Sequence, residues 1–244
     1  MRKAIAAAAI IAVGTSTAAC SATHAENKDP GPTVERSFAV GSFDRIELAG
    51  AYDATVRTGS APSVHARGGQ NQLDQLIVEV KDGELQIHPK EKHGFHWSWG
   101  KSEKVALTIT VPQLRGATLA GAGGIDVDKV QGDRFDGQVA GSGNMRLGAV
   151  NVSALKLGIA GSGGVSAGSG QAREAEYEIA GSGGVHAQSV AAETLKVSIA
   201  GSGDVKAHAT RAADVDIMGS GDVEVTGGAK CSVTKAGSGN VRCS

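Results

Sequence analysis

Gly164-Val165-Ser166-Ala167-Gly168 has the G-x-S-x-G spacing that presents a nucleophilic serine on a strained strand-to-helix turn. Such a serine works only with a histidine and an acid brought near it. Ser166 instead shares one place in a repeat with Arg146, His186 and Lys206, so the match is a by-product of that repeat. His93 and His96 could clasp a metal, but no Cys, Asp or Glu joins them at ligand spacing on a regular element, and Glu91 is the nearest acid. The glycine-rich stretches with Asp are similar to calcium-binding nonapeptide arrays. Those need the motif every nine residues or so, with an Asp in nearly every copy. Here the interval is 18 to 20, and the corner acid is present only as Asp204 and Asp222. No glycine-rich corner runs into the Gly-Lys-Ser/Thr ending of a phosphate-binding loop. The sequence therefore implies neither a metal nor another cofactor, and it offers no convincing catalytic constellation.

Two groups of residues carry chemistry of another kind. The chain has three cysteines. Cys20 follows Thr17-Ala18-Ala19, a bacterial lipobox with Thr where Leu is commonest, and lies behind Arg2, Lys3 and the apolar run from Ala4 to Val13. That is the layout of a secretory signal over residues 1–19, with Cys20 acylated after cleavage. Ordinary cleavage near Ala22 or Ala25 is the competing reading. Residues 20–33, with Pro30, Gly31 and Pro32, read as the tether of a lipid anchor. Ser21 rather than Asp after the cysteine is compatible with sorting to an outer membrane. Cys231 and Cys243 remain, an even pair in an exported chain, and their pairing as a disulfide is expected. The second group is His93-Gly94-Phe95-His96-Trp97-Ser98-Trp99, which holds both tryptophans of the chain. His93, Phe95, His96, Trp97 and Trp99 would suit a ligand-contact loop, because rings stack on flat apolar faces. They would equally serve to cover an end of the core.

What must position all of these is a repeat. Ala-Gly-Ser-Gly or a close variant starts at Ala120, Ala140, Ala160, Ala180 and Ala200, then at Met218 and Ala236. A fixed step of that size marks a solenoid, in which each repeat is one unit stacked on the last. After each corner the pattern is apolar, polar, apolar: Val165-Ser166-Ala167, Val185-His186-Ala187, Val205-Lys206-Ala207. That is a strand with one buried face. Before each corner Val139, Ile159, Ile179, Ile199 and Ile217 share one place. Each coil thus reads as strand, Gly-Ser-Gly corner, second strand and a looser return. Positive φ is expected at the residue after the second glycine, which is always Gly, Asn or Asp (Asn144, Asp204 and Asp222 among them). Aromatics are only 3% of the chain, so the interior is thin.

The fold class is therefore all-β: a parallel β-helix with 18–20-residue coils over residues 116–244, right-handed by the general preference for such crossovers. Residues 34–115 read as irregular, wider coils that start or cap it. Within them, Leu48 to Val56 is a degraded copy of the repeat, and Leu76 to His88 is a hairpin turning at Lys81-Asp82-Gly83. In the last coil Lys235 takes the place of the recurring Ile, a charge suited to guarding a sheet edge.

With 24 basic and 25 acidic side chains there is no electrostatic reason to expect nucleic acid as a partner. The outward row Asp126, Arg146, Ser166, His186, Lys206, Glu224 and Arg242 mixes signs, as a solvated face does. Acids clustered with a basic residue in an outer groove would instead mark a carbohydrate-active enzyme, a polysaccharide lyase or hydrolase on a β-helix.

Phe43-Asp44-x-Ile46, Leu73-Asp74, the Val-x-x-Gly-Glu-Leu of Val80 to Leu85, Thr110-Val111-Pro112-x-Leu114 and the serial Gly-Ser-Gly-Asp/Asn-Val together resemble the bacterial putative auto-transporter adhesin, head GIN domain family. The resemblance covers residues 34 to 243. It implies an exported β-helical domain, often behind a lipoprotein signal, and it carries over no catalytic residue. The expected protein is a non-catalytic lipoprotein of the periplasm or cell surface, at the outer membrane, acting as an adhesin-like binding or structural module. Its partners would be the membrane, through the anchor, and an envelope glycan or protein.

Overall fold

A computed structural model of the chain describes residues 30–90 and 104–244. The regular part starts at β8 (Gly116–Gly121) and continues through β9 (Gly124–Gly141), β10 (Asn144–Gly161), β11 (Gly164–Gly181), β12 (Gly184–Gly201) and β13 (Asp204–Gly219). It closes with β14 (Asp222–Thr226), β15 (Lys230–Ala236) and β16 (Val241–Cys243). Every neighbouring pair here is parallel, and residues one repeat apart are partners: Val165 with Val185, Val185 with Val205. All three valines are buried, while His186 and Lys206 are exposed, as the alternation requires. The fold is the expected parallel β-solenoid.

One coil shows how the core is filled. Met145, Leu147, Val150, Val152, Leu155, Leu157 and Ile159 all turn inward, none more than 7% exposed. The stretch between Leu147 and Leu155 was expected to be a looser return. It is instead paired with both neighbouring coils, Val150 with Val130 and Gly170, so the backbone bonds run almost all the way round. A loose return would leave backbone groups unpaired beside a buried core. The two residues lost in the 18-residue coils come out of this region: the register shifts between Ala187 and Ala191.

The corners also differ from expectation. Positive φ falls on the first glycine of each, from 121° at Gly141 to 135° at Gly219, and not on Asn144, Asp204 or Asp222. The second glycine is needed for a different reason. A Cβ on Gly163 would lie 2.3 Å from the carbonyl oxygen of Gly143, one coil away. The corner turns at its first glycine, and both glycines pack against the neighbouring coil.

Residues before 116 extend the same stack. They form β1 (Thr33–Phe38), β2 (Arg45–Gly50), β3 (Asp53–Thr58), β4 (Ser63–Gly69), a single helical turn α1 (Gln70–Leu73), β5 (Leu76–Lys81), β6 (Glu84–Pro89) and β7 (Ala106–Val111). β2 and β3 add the two strands of a further rung around an Ala51-Tyr52 corner: Leu48 pairs with Leu119, Gly50 with Gly121, and Val56 with Val127. The next rung outward is β6 and β7, which pair in parallel with β2 and β3. The order in space is therefore not the order in sequence, since 45–58 lies between 84–111 and 116–141. β5 turns back on β6 through Asp82 and Gly83, both at positive φ. β4 and β1 add antiparallel strands beyond β7.

At the other end, Lys235 stands in register with Ile217 and its Nζ donates to the Gly239 carbonyl at 2.8 Å. Cys231 and Cys243 are joined, with their Cα atoms 6.6 Å apart. Gln72 is the single buried polar residue among those described, and its side chain accepts from the Gly69 amide at 3.2 Å.

Candidate functional site

The corner residues determine which side chains reach solvent. Because coils stack in register, each outward position becomes a row along the solenoid, with steps of about 4.8 Å. Three such surfaces carry polar groups.

The first follows the corners. Arg146 meets Asp126 at 3.5 Å in this row. Toward the C-terminal end the row opens into a groove of 380 Å3 lined by His186, Asp204, Lys206, Asp222, Glu224 and Arg242. Acids clustered with basic residues were the mark expected of an enzyme, so their setting matters. All six side chains are exposed, Lys206, Glu224 and Arg242 alternate in sign on neighbouring coils while Asp204 and Asp222 stand in register with like charge, and Asp222 Oδ1 accepts from the Asn240 amide at 2.9 Å. No hydrogen bond or ion pair among the described residues ties one of these acids to His186, Lys206 or Arg242. Ser166 lies on this row in register with His186, but its hydroxyl makes no hydrogen bond to a histidine or an acid among the described residues, so no triad is assembled around the G-x-S-x-G match there.

The second precedes the corners. Lys156 reaches Glu178 at 3.0 Å and Glu176 at 3.4 Å, and Arg134 faces Asp136 at 3.7 Å. The hydrogen bond to Glu178, with the nearby charge of Glu176, lifts the Lys156 ammonium above its ordinary range. The Lys156 pairs tie neighbouring coils and the Arg134 pair lies within one coil; on a wet surface each is worth little.

The third is the return face, where a groove of 500 Å3 is lined by Asn151, Ser153, Gln171, Arg173, Glu193 and Thr210. A smaller one of 300 Å3, lined by Thr58, Gln113, Lys129 and Gln131, shares Gly132 with it. Gln113 Nε2 donates to the Gln131 carbonyl at 3.1 Å. Sequence reasoning passed over this face. The signal was available: Gln131, Asn151 and Gln171 recur at the 20-residue step.

No group of three or more His, Cys, Asp or Glu among the described residues is arranged to hold a metal ion. Cys20 and the ring residues His93, Phe95, His96, Trp97 and Trp99 lie outside the described residues. On either side of the latter segment, β6 stops at Pro89 and β7 starts at Ala106. Residues 45–58 turn through a two-residue corner, as tight as that of the regular coils. No helix of the described residues is long and apolar enough to cross a membrane.

The family described as putative auto-transporter adhesin, head GIN domain, matches residues 42–229. The chain belongs to this family. The head GIN domain is also similar to the crystal structure of a putative adhesin from Bacteroides fragilis NCTC 9343, with a TM-score of 0.77 at 22% identity, over 87% of this chain and 97% of that one. A putative lipid binding protein from Parabacteroides distasonis ATCC 8503 matches with a TM-score of 0.72 at 25% identity, over 88% of this chain and 97% of that one. A putative adhesin from Parabacteroides merdae ATCC 43184 matches with a TM-score of 0.67 at 20% identity, over 88% and 97%. Among curated proteins none matches the chain. The head GIN domain here is adhesin-like in family and solenoid in fold, and its polar groups are arrayed along the outside.

Proposed function

We propose that the chain is a non-catalytic cell-envelope module, held at the membrane through an acylated Cys20, that binds an envelope ligand along the side of its solenoid. One observation carries this reading. The interior is filled by side chains, and the polar residues stand in exposed rows on the outside, so what the fold offers a partner is surface. The family supports an adhesin-like role at the envelope. The neighbour described as a lipid binding protein suggests lipid contact. With the inward positions occupied from Ile46 to Val225, we assign lipid contact to the anchor rather than to an internal cavity.

The test combines location and binding. Mass spectrometry of membrane-bound protein is expected to find diacylglycerol on an N-terminal Cys20, and Cys20→Ala is expected to release the protein. Soluble material beginning at Thr23 or Glu26, or unchanged localisation of the variant, would refute the anchor. The mature domain is expected to retain an envelope glycan or protein in a pulldown.

The groove around Lys206 is the observation that favours a carbohydrate-active enzyme instead. Under that reading the wild type depolymerises a polysaccharide and Glu224→Gln or Asp204→Asn stops it. Under ours no polymer shortens.

A further inference from the structure

The joined grooves of the return face form a trough whose shape and lining specify a ligand class. From Gln113 past Gln131, Asn151, Gln171 and Ala191 to Thr210 the trough crosses five coil-to-coil steps, roughly 24 Å at the spacing of paired strands. One side is the amide row, with Gln131 in register with Asn151 and Asn151 with Gln171. The other side is Ser153, Arg173 and Glu193. Between them the floor is set by Gly132, Val152, Ala172 and Ala192, which are partners on successive coils. The floor stays low because those side chains are small or turned inward. A Cβ on Gly132 would lie 2.5 Å from Gln113 Nε2 and would push that amide out of line. The side chains of Asn151, Gln171, Arg173 and Glu193 make no hydrogen bond or ion pair within the described residues.

We propose that this trough binds a linear, neutral polysaccharide segment, with Asn151 and Gln171 as its central contacts. The inference rests on the reading of the chain as an envelope-binding module. A side-chain amide carries both an acceptor and donors, so it can meet adjacent hydroxyls of a sugar, which also do both. Charged groups of opposite sign, Lys129 and Arg173 against Glu193, give no strong field for a polyanion. An extended peptide fits less well. It binds a sheet by adding to an open edge, and the floor strands are already paired on both sides. A polymer with a repeating unit matches a surface whose contacts repeat along one axis.

The experiment titrates the mature domain against neutral mannan and galactan oligosaccharides, with polygalacturonate as the anionic control and intact envelope as the general binding control. Asn151→Ala/Gln171→Ala removes the central amides. Ala191→Trp plugs the trough from a partly exposed position in the same row. Lys206→Ala/Glu224→Ala alters the other groove. The wild type is expected to bind a neutral glycan, the first two variants to lose about tenfold or more in affinity, and the third to match the wild type. Thermal melts confirm that the variants fold. Neutral-glycan binding that survives both trough variants would overturn the site while leaving the envelope-binding reading intact. Retention on envelope with no neutral glycan bound, or a preference for polygalacturonate, would overturn the ligand class. Binding to neither glycan nor envelope would sink the proposal and the reading beneath it.

Discussion

Replacing single glycines of one corner by alanine should give a graded loss of stability that separates the two jobs these glycines do. Gly161 has φ of 127°, and a Cβ there would stand 2.4 Å from the Gly141 carbonyl oxygen. Strain of this kind costs about 1–3 kcal/mol for a residue with a side chain, and the overlap about 1–3 more. Gly163 lacks positive φ, but its Cβ would lie 2.3 Å from Gly143 O and 2.7 Å from Val139 Cγ1. Neither neighbour can retreat cheaply, since one is ladder backbone and the other core. Overpacking alone predicts about 2–3 kcal/mol. Gly83, at φ of 78° with nothing within 4 Å of its Cβ, carries conformational cost only, about 1 kcal/mol. Asn144→Ala, at a residue without positive φ, should fall within about 0.5 kcal/mol of the wild type. The expected order is Gly161→Ala, Gly163→Ala, Gly83→Ala, Asn144→Ala. Urea unfolding measures it. Hydrogen exchange should place the damage of the first two in the coils around 141–181, because a solenoid's stability is a sum of local and neighbour terms. Asn144→Ala costing more than Gly163→Ala would refute the division of roles and return the turn to the residue after the second glycine.

Three further outcomes follow from the ends and the core. Cys231→Ser/Cys243→Ser opens a link with a sequence separation of 12, worth about 3 kcal/mol in the chain-entropy model. Exchange should quicken from Gly227 onward with the coils near Val165 unchanged, and uniform loss of protection would contradict a local role. Lys235→Ile would put an apolar side chain on the last rung in place of the ammonium that caps Gly239, and sedimentation should then show concentration-dependent association absent from the wild type. Tyr177 is buried, and burial pushes its phenol well above its ordinary value of 10.0. A raised folded-state value means full stability below pH about 10 and a loss above it, as the unfolded chain gains by ionising. The urea midpoint should drop between pH 9 and 11, and less so in Tyr177→Phe; equal slopes in both proteins would remove the assignment.

Much of the solenoid is legible because its rules are local. Alternation at Val165, Ser166 and Ala167 sets which face is buried, and the same alternation 20 residues on makes Val185 the partner of Val165. The hairpin at Asp82-Gly83 is likewise written in its turn residues. The outer trough is only half written. The recurring amides Gln131, Asn151 and Gln171 stand in the sequence, but nothing local brings Gln113 onto Gln131.

The sequence by itself therefore determined the repeat, the inward rows and the parallel pairing, because strand periodicity and repeat spacing depend on residues near one another in the chain. The tertiary structure alone decided three things. It set rung 45–58 between 84–111 and 116–141, a choice made by long-range ladders such as Leu48 on Leu119. It drew the return into the sheet, because backbone groups beside a buried core need partners. It also divided the work of the corner glycines, since whether a Cβ fits at Gly163 depends on the Gly143 carbonyl one full coil away.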